Sequence, residues 1–289
     1  MSIQVNNLTH IYSEGMPHQS LALENVTFTA RDGQFVGIIG HTGSGKSTLV
    51  QHLNGLLKPK SGSIVVGGVD ITQPGVVMRD IRRRIGLVFQ YPEYQLFEET
   101  VEKDVAFGPA NLELDESEIQ NRVKEAIQLV GLDYEEIRGH SPFELSGGQK
   151  RRVAIAGVIA MKPEVLILDE PTAGLDPKAH QDVLDMIRKV HVHEKNITFL
   201  VSHNMDDIAR LADWVLVMDS GRLVMQGRPE EIFSQEEALD SIGLALPEPA
   251  RLMNMAKKQG LPFQGSFLTV EDAEEALYGF LKRDRDLRI

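Results

Sequence analysis

Nine consecutive residues carry the most explicit chemistry in this chain: Gly40-His41-Thr42-Gly43-Ser44-Gly45-Lys46-Ser47-Thr48. They fit the spacing G-x-x-x-x-G-K-[ST], in which backbone N–H groups cradle a phosphate chain. A nest of amides at the positive end of a helix dipole suits a polyanion. Gly40, Gly43, Ser44, Gly45 and Thr48 belong to the cradle. The Lys46 ammonium reaches β- and γ-phosphates, and the Ser47 hydroxyl ligates Mg²⁺. A chance match somewhere in a chain of ordinary glycine usage is on the order of one per cent. The spacing therefore predicts binding of a nucleoside triphosphate with its Mg²⁺.

Such a loop belongs between a strand and a helix, and both flanks are present. Phe35 to Ile39 is a short apolar run of buried-strand type, and Thr48 to Leu53 starts a helix. Three more apolar runs end in polar groups: Ile85–Phe89 before Gln90, Val165–Leu168 before Asp169 and Glu170, and Thr198–Val201 before Ser202 and His203. In open α/β sheets, ligands bind outside the carboxyl ends of the strands. A carboxylate after a buried strand, together with the loop hydroxyl, is what Mg²⁺ requires, which assigns Asp169. Glu170, on the opposite side of the strand end, is placed to orient or deprotonate an attacking water. His203 is assigned to the γ-phosphate. These groups together are much harder to explain by chance than any one of them.

The remaining sequence supplies the frame. Ile3–Leu8, Ala22–Thr29 and Ile64–Val66 read as strands on short turns, hence a small antiparallel sheet beside the nucleotide-binding one. Arg79 to Arg84 reads as a solvated helix face. From Asp115 the pattern is helical, with Ile119, Val123, Ile127 and Val130 on one face and Gly131 as its stop. Ser141 to Gln149 reads as a loop with an N-cap, followed by a helix from Val153 to Met161. Trp214–Met218 and Leu223–Met225 read as a hairpin around Ser220-Gly221. Strands alternating with helices at 177–193 and 204–212 argue a mostly parallel sheet with right-handed crossovers. Leu244 to Pro249 reads as a linker, and the segment to Ile289 as a small helical appendage.

Composition excludes several classes. The net charge of −12 argues against a nucleic-acid binder, which shows a basic patch. With no cysteine there are no disulfides, zinc-thiolate sites or thiol nucleophiles. The first residues lack the basic and apolar regions of a signal peptide, and no run of about 18 apolar residues could span a bilayer. The chain reads as a soluble cytoplasmic protein whose membrane contact comes through a partner.

Leu145-Ser146-Gly147-Gly148-Gln149, placed between the phosphate loop and the acidic strand, resembles the signature of ATP-binding cassette (ABC) ATPases. Asp169-Glu170-Pro171-Thr172-Ala173-Gly174-Leu175-Asp176 resembles that family's acidic strand end and D-loop, Ser202-His203 its H-loop, and Gln90 its Q-loop. The resemblance spans roughly residues 1–240 in five ordered motifs. It implies an α/β fold of P-loop NTPase (RecA-like) type. That fold has a mostly parallel sheet, an antiparallel β subdomain, a helical subdomain over about residues 91–160 and a C-terminal helical extension. It also implies head-to-tail dimers in which Ser146 and Gly148, with Gln149 and Asp176, help to hold ATP bound by the other chain's loop. Gln90 joins Ser47 and Asp169 at Mg²⁺ and joins Glu170 and His203 in catalysis, and Tyr12 matches the adenine-stacking aromatic.

A narrower resemblance rests on Phe89 to Val101, Phe107-Gly108-Pro109, and Ser141 to Ile155. These are similar to the ATPases of energy-coupling factor (ECF) transporters, importers of vitamins and of cobalt or nickel. Gly40-His41-Thr42-Gly43 and Ala154 to Val158 look like the second of the paired ATPase types. This resemblance implies residues 1–243 as an ABC ATPase domain and 244–289 as a dimer-stabilising extension. It implies a heterodimer with a related ATPase and a substrate-binding membrane subunit. A transmembrane coupling subunit would dock near Tyr91–Asp104, with the chain peripheral on the cytoplasmic side of the cell membrane. DNA-repair ABC ATPases carry long coiled coils before the signature, whereas Lys46 and Ser146 are only 146 − 46 = 100 residues apart. Translation-type members hold two cassettes, and this chain has one. No N-K-x-D motif supports a GTPase, and a binding-only regulator would lack a base at Glu170.

Overall fold

The computed structural model of the chain describes residues 1–286, with side chains through Lys282; the end of the expected extension at Ile289 lies outside the described residues. Strands β1 (Ile3–Tyr12) and β2 (Ser20–Ala30) alternate buried and exposed residues over much of their length and pair antiparallel. Next comes β3 (Phe35–Ile39), buried at every position, then α1 (Lys46–Leu53). Strands β4 (Ser61–Val66) and β5 (Val69–Asp70) complete a four-stranded antiparallel sheet in the order β2-β1-β4-β5. Helix α2 (Met78–Arg84) leads into β6 (Ile85–Val88). A helical stretch follows: α3 (Val101–Ala110), α4 (Glu116–Leu129), α5 (Tyr134–Ile137) and α6 (Gly147–Ile159).

The chain then alternates β7 (Val165–Asp169), α7 (Pro177–Glu194), β8 (Ile197–Val201), α8 (Met205–Leu211) and β9 (Trp214–Asp219), before β10 (Arg222–Gly227) turns back antiparallel on β9. The second sheet runs β10-β9-β3-β8-β7-β6, with every pair but β10·β9 parallel. Its strands β3, β6, β7 and β8 are buried at every position because both faces are covered, whereas the edge strand β10 is largely exposed. Val36, Ile38, Ile167 and Phe199 face the antiparallel sheet and α1, while Phe35, Ile39, Leu166 and Leu168 face the helical layer. The period-2 pleat thus divides one strand between two cores.

Three expectations change. Helix α6 begins at Gly147, not Val153, because Ser146 and Gln149 form a capping box that offsets two poor helix formers. The arginines of α2 are not merely solvated: Arg79 and Arg83 donate to the Asn111 carbonyl, Arg82 to that of Gly55, and Arg84 grips Glu164 at 2.6 Å. The stretch read as a linker is packed, with Leu244, Leu246 and Ala250 buried in the same core as the helical layer. Helices α9 (Pro229–Phe233), α10 (Glu236–Ser241), α11 (Glu248–Lys258) and α12 (Val270–Asp286) close the chain.

Candidate functional site

The loop from Gly40 to Gly45 leaves β3 and enters α1 through Gly45, whose φ of +102° is left-handed. A Cβ there would stand 2.7 Å from the Ala22 carbonyl, so only glycine fits. No side chain caps α1, which leaves the amides of its first turn open. The loop is clasped from outside: Gly221 N–H, in the β9–β10 turn, donates to the Ser44 carbonyl at 3.0 Å. His41 Nε2 meets Asp219 at 2.8 Å, and the Thr42 carbonyl, then Asp219, raise the His41 pKa.

Lys46 is buried, and its ammonium donates to the carbonyls of Gly40 at 2.7 Å and His41 at 3.0 Å. Burial lowers its pKa, opposed by Glu170 and Asp169 nearby. Asp169 ends β7 and is likewise buried. Burial raises its pKa, while a hydrogen bond from Ser47 and the charge of Lys46 pull it down. A desolvated carboxylate facing a hydroxyl is a fitting pair of ligands for a hard divalent cation. Among the described residues no group of three or more His, Cys, Asp or Glu side chains is arranged to hold a metal ion. Such a site therefore suits an ion that keeps water and phosphate ligands rather than one in an all-protein cage.

Glu170 holds φ at +49°, a left-handed conformation uncommon outside glycine. Its carboxylate accepts from Gln90 Nε2 at 3.2 Å and lies 3.5 Å from His203 Nδ1. Gln90, Glu170 and His203, each just past a different strand, thus converge on one carboxylate. With Tyr12, Lys46, Ser47 and Thr48 close by, Gln90 and Glu170 line a cleft of about 450 Å³. Tyr12 is half-exposed, and its hydroxyl lies 3.2 Å from Thr48 Oγ1.

The remaining predicted residues lie elsewhere. Ser146, Gly148 and Gln149 form the start of α6 and do not line the cleft. Asp176 caps α7, accepting from the amides of Lys178 and Ala179. Two groups escaped sequence reasoning. Arg151, on α6, is 2% exposed; it donates to Glu93 twice and to the carbonyls of Pro171 and Ala173 at 3.0 and 2.8 Å. Asp207, on α8, accepts from Ser202 and pairs with His180 on α7 at 2.8 Å, joining the segment before His203 to the helix capped by Asp176. Only the basic residue after the signature could have pointed to the first; a pair 27 residues apart leaves no signal for the second.

Residues 23–173, just over half of the chain, match the family described as ABC transporter. The chain belongs to that family. It is 54% identical to the energy-coupling factor transporter ATP-binding protein EcfA2 of Caldanaerobacter subterraneus subsp. tengcongensis, over 99% of this chain and 100% of that one. The protein of the same name from Clostridioides difficile is 56% identical over 96% of each chain. The solved structure of cbiO1 from Clostridium perfringens, described as part of the ABC transporter complex cbiONQ, superposes with a TM-score of 0.74. It is 38% identical and covers 87% of this chain and 98% of that one. This ABC ATPase falls among the energy-coupling factor type, second of the paired kinds, and its fold is the cassette fold.

Proposed function

We infer that this chain is the ATP-hydrolysing subunit of an ECF-type ABC importer. The convergence of Gln90 and His203 on Glu170 at the cleft beside Lys46 carries the reading. Tyr12 supports the base, and the loop amides with Lys46 hold the phosphates. Ser47, Asp169 and Gln90 hold Mg²⁺, which when bound neutralises charge developing on the transferred phosphoryl group. Glu170 orients and deprotonates the attacking water, and its strained φ fixes the carboxylate at the strand end. His203 binds the γ-phosphate and limits the freedom of Glu170.

The amides at the start of α6 lie outside this cleft, so the chain needs a second cassette. Ser146, Gly148, Gln149 and Asp176 close the site of a related ATPase in a head-to-tail heterodimer, and that chain closes this one. Binding of ATP draws the pair together, and hydrolysis lets it open. The membrane coupling subunit docks near Tyr91–Asp104. There a cleft of about 490 Å³ lined by Leu96, Phe97, Phe107 and Met161 has Arg79, Arg82 and Arg83 at its edge, and Tyr94 is 84% exposed. No helix among the described residues is long and apolar enough to cross a membrane, in keeping with attachment through subunits. A substrate-binding membrane subunit then delivers a vitamin or transition-metal ion. Exposed Leu252, Met255, Tyr278 and Leu281 on α11 and α12 suit the extension to dimerisation. Purification from native membranes tests the assembly: a second ATPase and membrane subunits should co-elute, and a chain recovered alone overturns it.

A further inference from the structure

Two buried histidines lie beneath the nucleotide cleft and take no part in the constellation above. His10, on β1, is 9% exposed and His52, on α1, only 1%. Their protons follow from their partners. His52 Nδ1 is 2.7 Å from the Thr48 carbonyl, which only accepts, so Nδ1 carries the proton and Nε2 is bare. His10 Nδ1 is 3.2 Å from the Lys58 carbonyl and 3.1 Å from that bare Nε2, so it donates to both. His10 Nε2 is then an unprotonated nitrogen, buried and without a partner. The pair is neutral, with a single proton between the rings.

Four contacts close a ring through these residues. His10 stands edge-on to Tyr12, with centroids 4.6 Å apart at 83°. The Tyr12 hydroxyl meets Thr48 Oγ1, the Thr48 carbonyl accepts from His52, and His52 accepts from His10. The ring ties the end of β1 to the first turn of α1.

We propose that His10 and His52 are positioning residues for the nucleotide base, locking Tyr12 against α1 through one shared proton that a second proton displaces. The proposal rests on Tyr12 as the base platform. An added proton has two places to go, and each breaks the ring. On His52 Nε2 it opposes the His10 Nδ1–H at 3.1 Å; on His10 Nε2 it is a buried cation without an acceptor. The groups facing the pair are Tyr12 from β1 and the Thr48 and Lys58 carbonyls from α1 and the stretch after it. Lys60, whose amide bonds Thr9, is paired with Glu14. No carboxylate bonds either imidazole among the described residues, so nothing there compensates a cation. Burial accordingly lowers the His52 pKa, against the pull of the Thr48 carbonyl.

Calorimetric titration with ATP and with inorganic tripolyphosphate separates base from phosphate binding. Tyr12→Ala should weaken ATP binding about 5- to 100-fold, as loss of base stacking does, and leave tripolyphosphate unchanged. His10→Phe should weaken ATP roughly 2- to 10-fold, as loss of one hydrogen bond does. In the parent, the ratio of ATP to tripolyphosphate affinity should fall about threefold or more from about pH 7.5 to about pH 5.5, the range in which histidine titrates. His10→Gln has no second basic nitrogen, and its amide offers His52 Nε2 a donor or, once turned, an acceptor for a protonated His52, so its ratio should stay flat. If His10→Phe loses tripolyphosphate binding it has misfolded, and the His10→Gln profile decides. A parent ratio that is flat, or that falls equally in His10→Gln, overturns the proposal while Tyr12→Ala still weakens ATP. A Tyr12→Ala chain that binds ATP as the parent does overturns the base-platform reading instead.

Discussion

Two helices in this molecule begin on glycine-rich stretches and end up with opposite needs. Helix α1 is entered through left-handed Gly45, no side chain caps it, and Lys46, Asp169, Gln90 and Glu170 gather around its start. Helix α6 starts at the surface, where Ser146 Oγ accepts from the Gln149 amide and the Gln149 side chain accepts from the Ser146 amide. The dipole is the same at both ends. What differs is whether the chain has already satisfied the free amides. At α1 the structure leaves them for a ligand and supplies the counter-charges. At α6 it satisfies some of them internally, and in the proposed head-to-tail pairing this end serves the nucleotide that the other chain brings.

The comparison breaks most visibly at Glu170. Glu170→Gln keeps the shape and loses the base, so turnover should drop about 10²- to 10⁴-fold with ATP binding retained; parental turnover removes Glu170 from the role. Lys46→Ala deprives the α1 end of its buried cation and leaves Asp169 and Glu170 without it. A fall in turnover of about 10²- to 10³-fold is expected, and a steady-state assay near the parental rate would refute it.

Arg151 ties the start of α6 to the acidic strand end, since it sits on α6 and holds the loop after Glu170. Arg151→Ala strands Glu93 and two buried carbonyls and should cost about 3–5 kcal/mol in denaturant unfolding; a loss below about 1 kcal/mol would show that the joint is slack. Ser146→Ala removes only a cap, about 1 kcal/mol, yet should stop turnover at the neighbouring site. Paired with a related ATPase whose own phosphate loop is disabled, the Ser146→Ala chain should keep the turnover that remains, and its loss there would mean the α6 end serves its own chain. The smallest effect concerns the helix interior. His52 has a lowered pKa in the fold, so its contribution is complete above the unfolded value near 6.5 and is lost as the pH falls below it. Thermal unfolding from about pH 7 to about pH 5 should slope less in His52→Gln than in the parent; equal slopes assign the loss to other groups.

The α1 end was legible because its phosphate cradle is local, a loop spacing between a strand and a helix start, whereas its clasp by Asp219 and Gly221 left no signal. The strand-end residues Gln90, Asp169, Glu170 and His203 could be gathered from sequence because parallel strands share one carboxyl edge. The start of α6 was misplaced because Gly147 and Gly148 count against a helix, while the capping box that rescues them depends on side-chain geometry. Pro247 and Pro249 suggested a linker, but Leu244 and Leu246 are drawn into the core by burial that periodicity over so few residues does not register. Arg151, His180 with Asp207, and His10 with His52 are pairings across tens of residues. They exist only once the sheet has ordered its strands.

The acceptors of Arg151 have one further consequence. Two of them, at Pro171 and Ala173, are main-chain carbonyls, and only Glu93 contributes a side chain. The anchorage beside the acidic strand is therefore indifferent to which side chain occupies position 173, while the anchorage at the other end depends on a single carboxylate. Natural variation can accumulate on the first side without loosening the joint, and on the second only in step with Arg151.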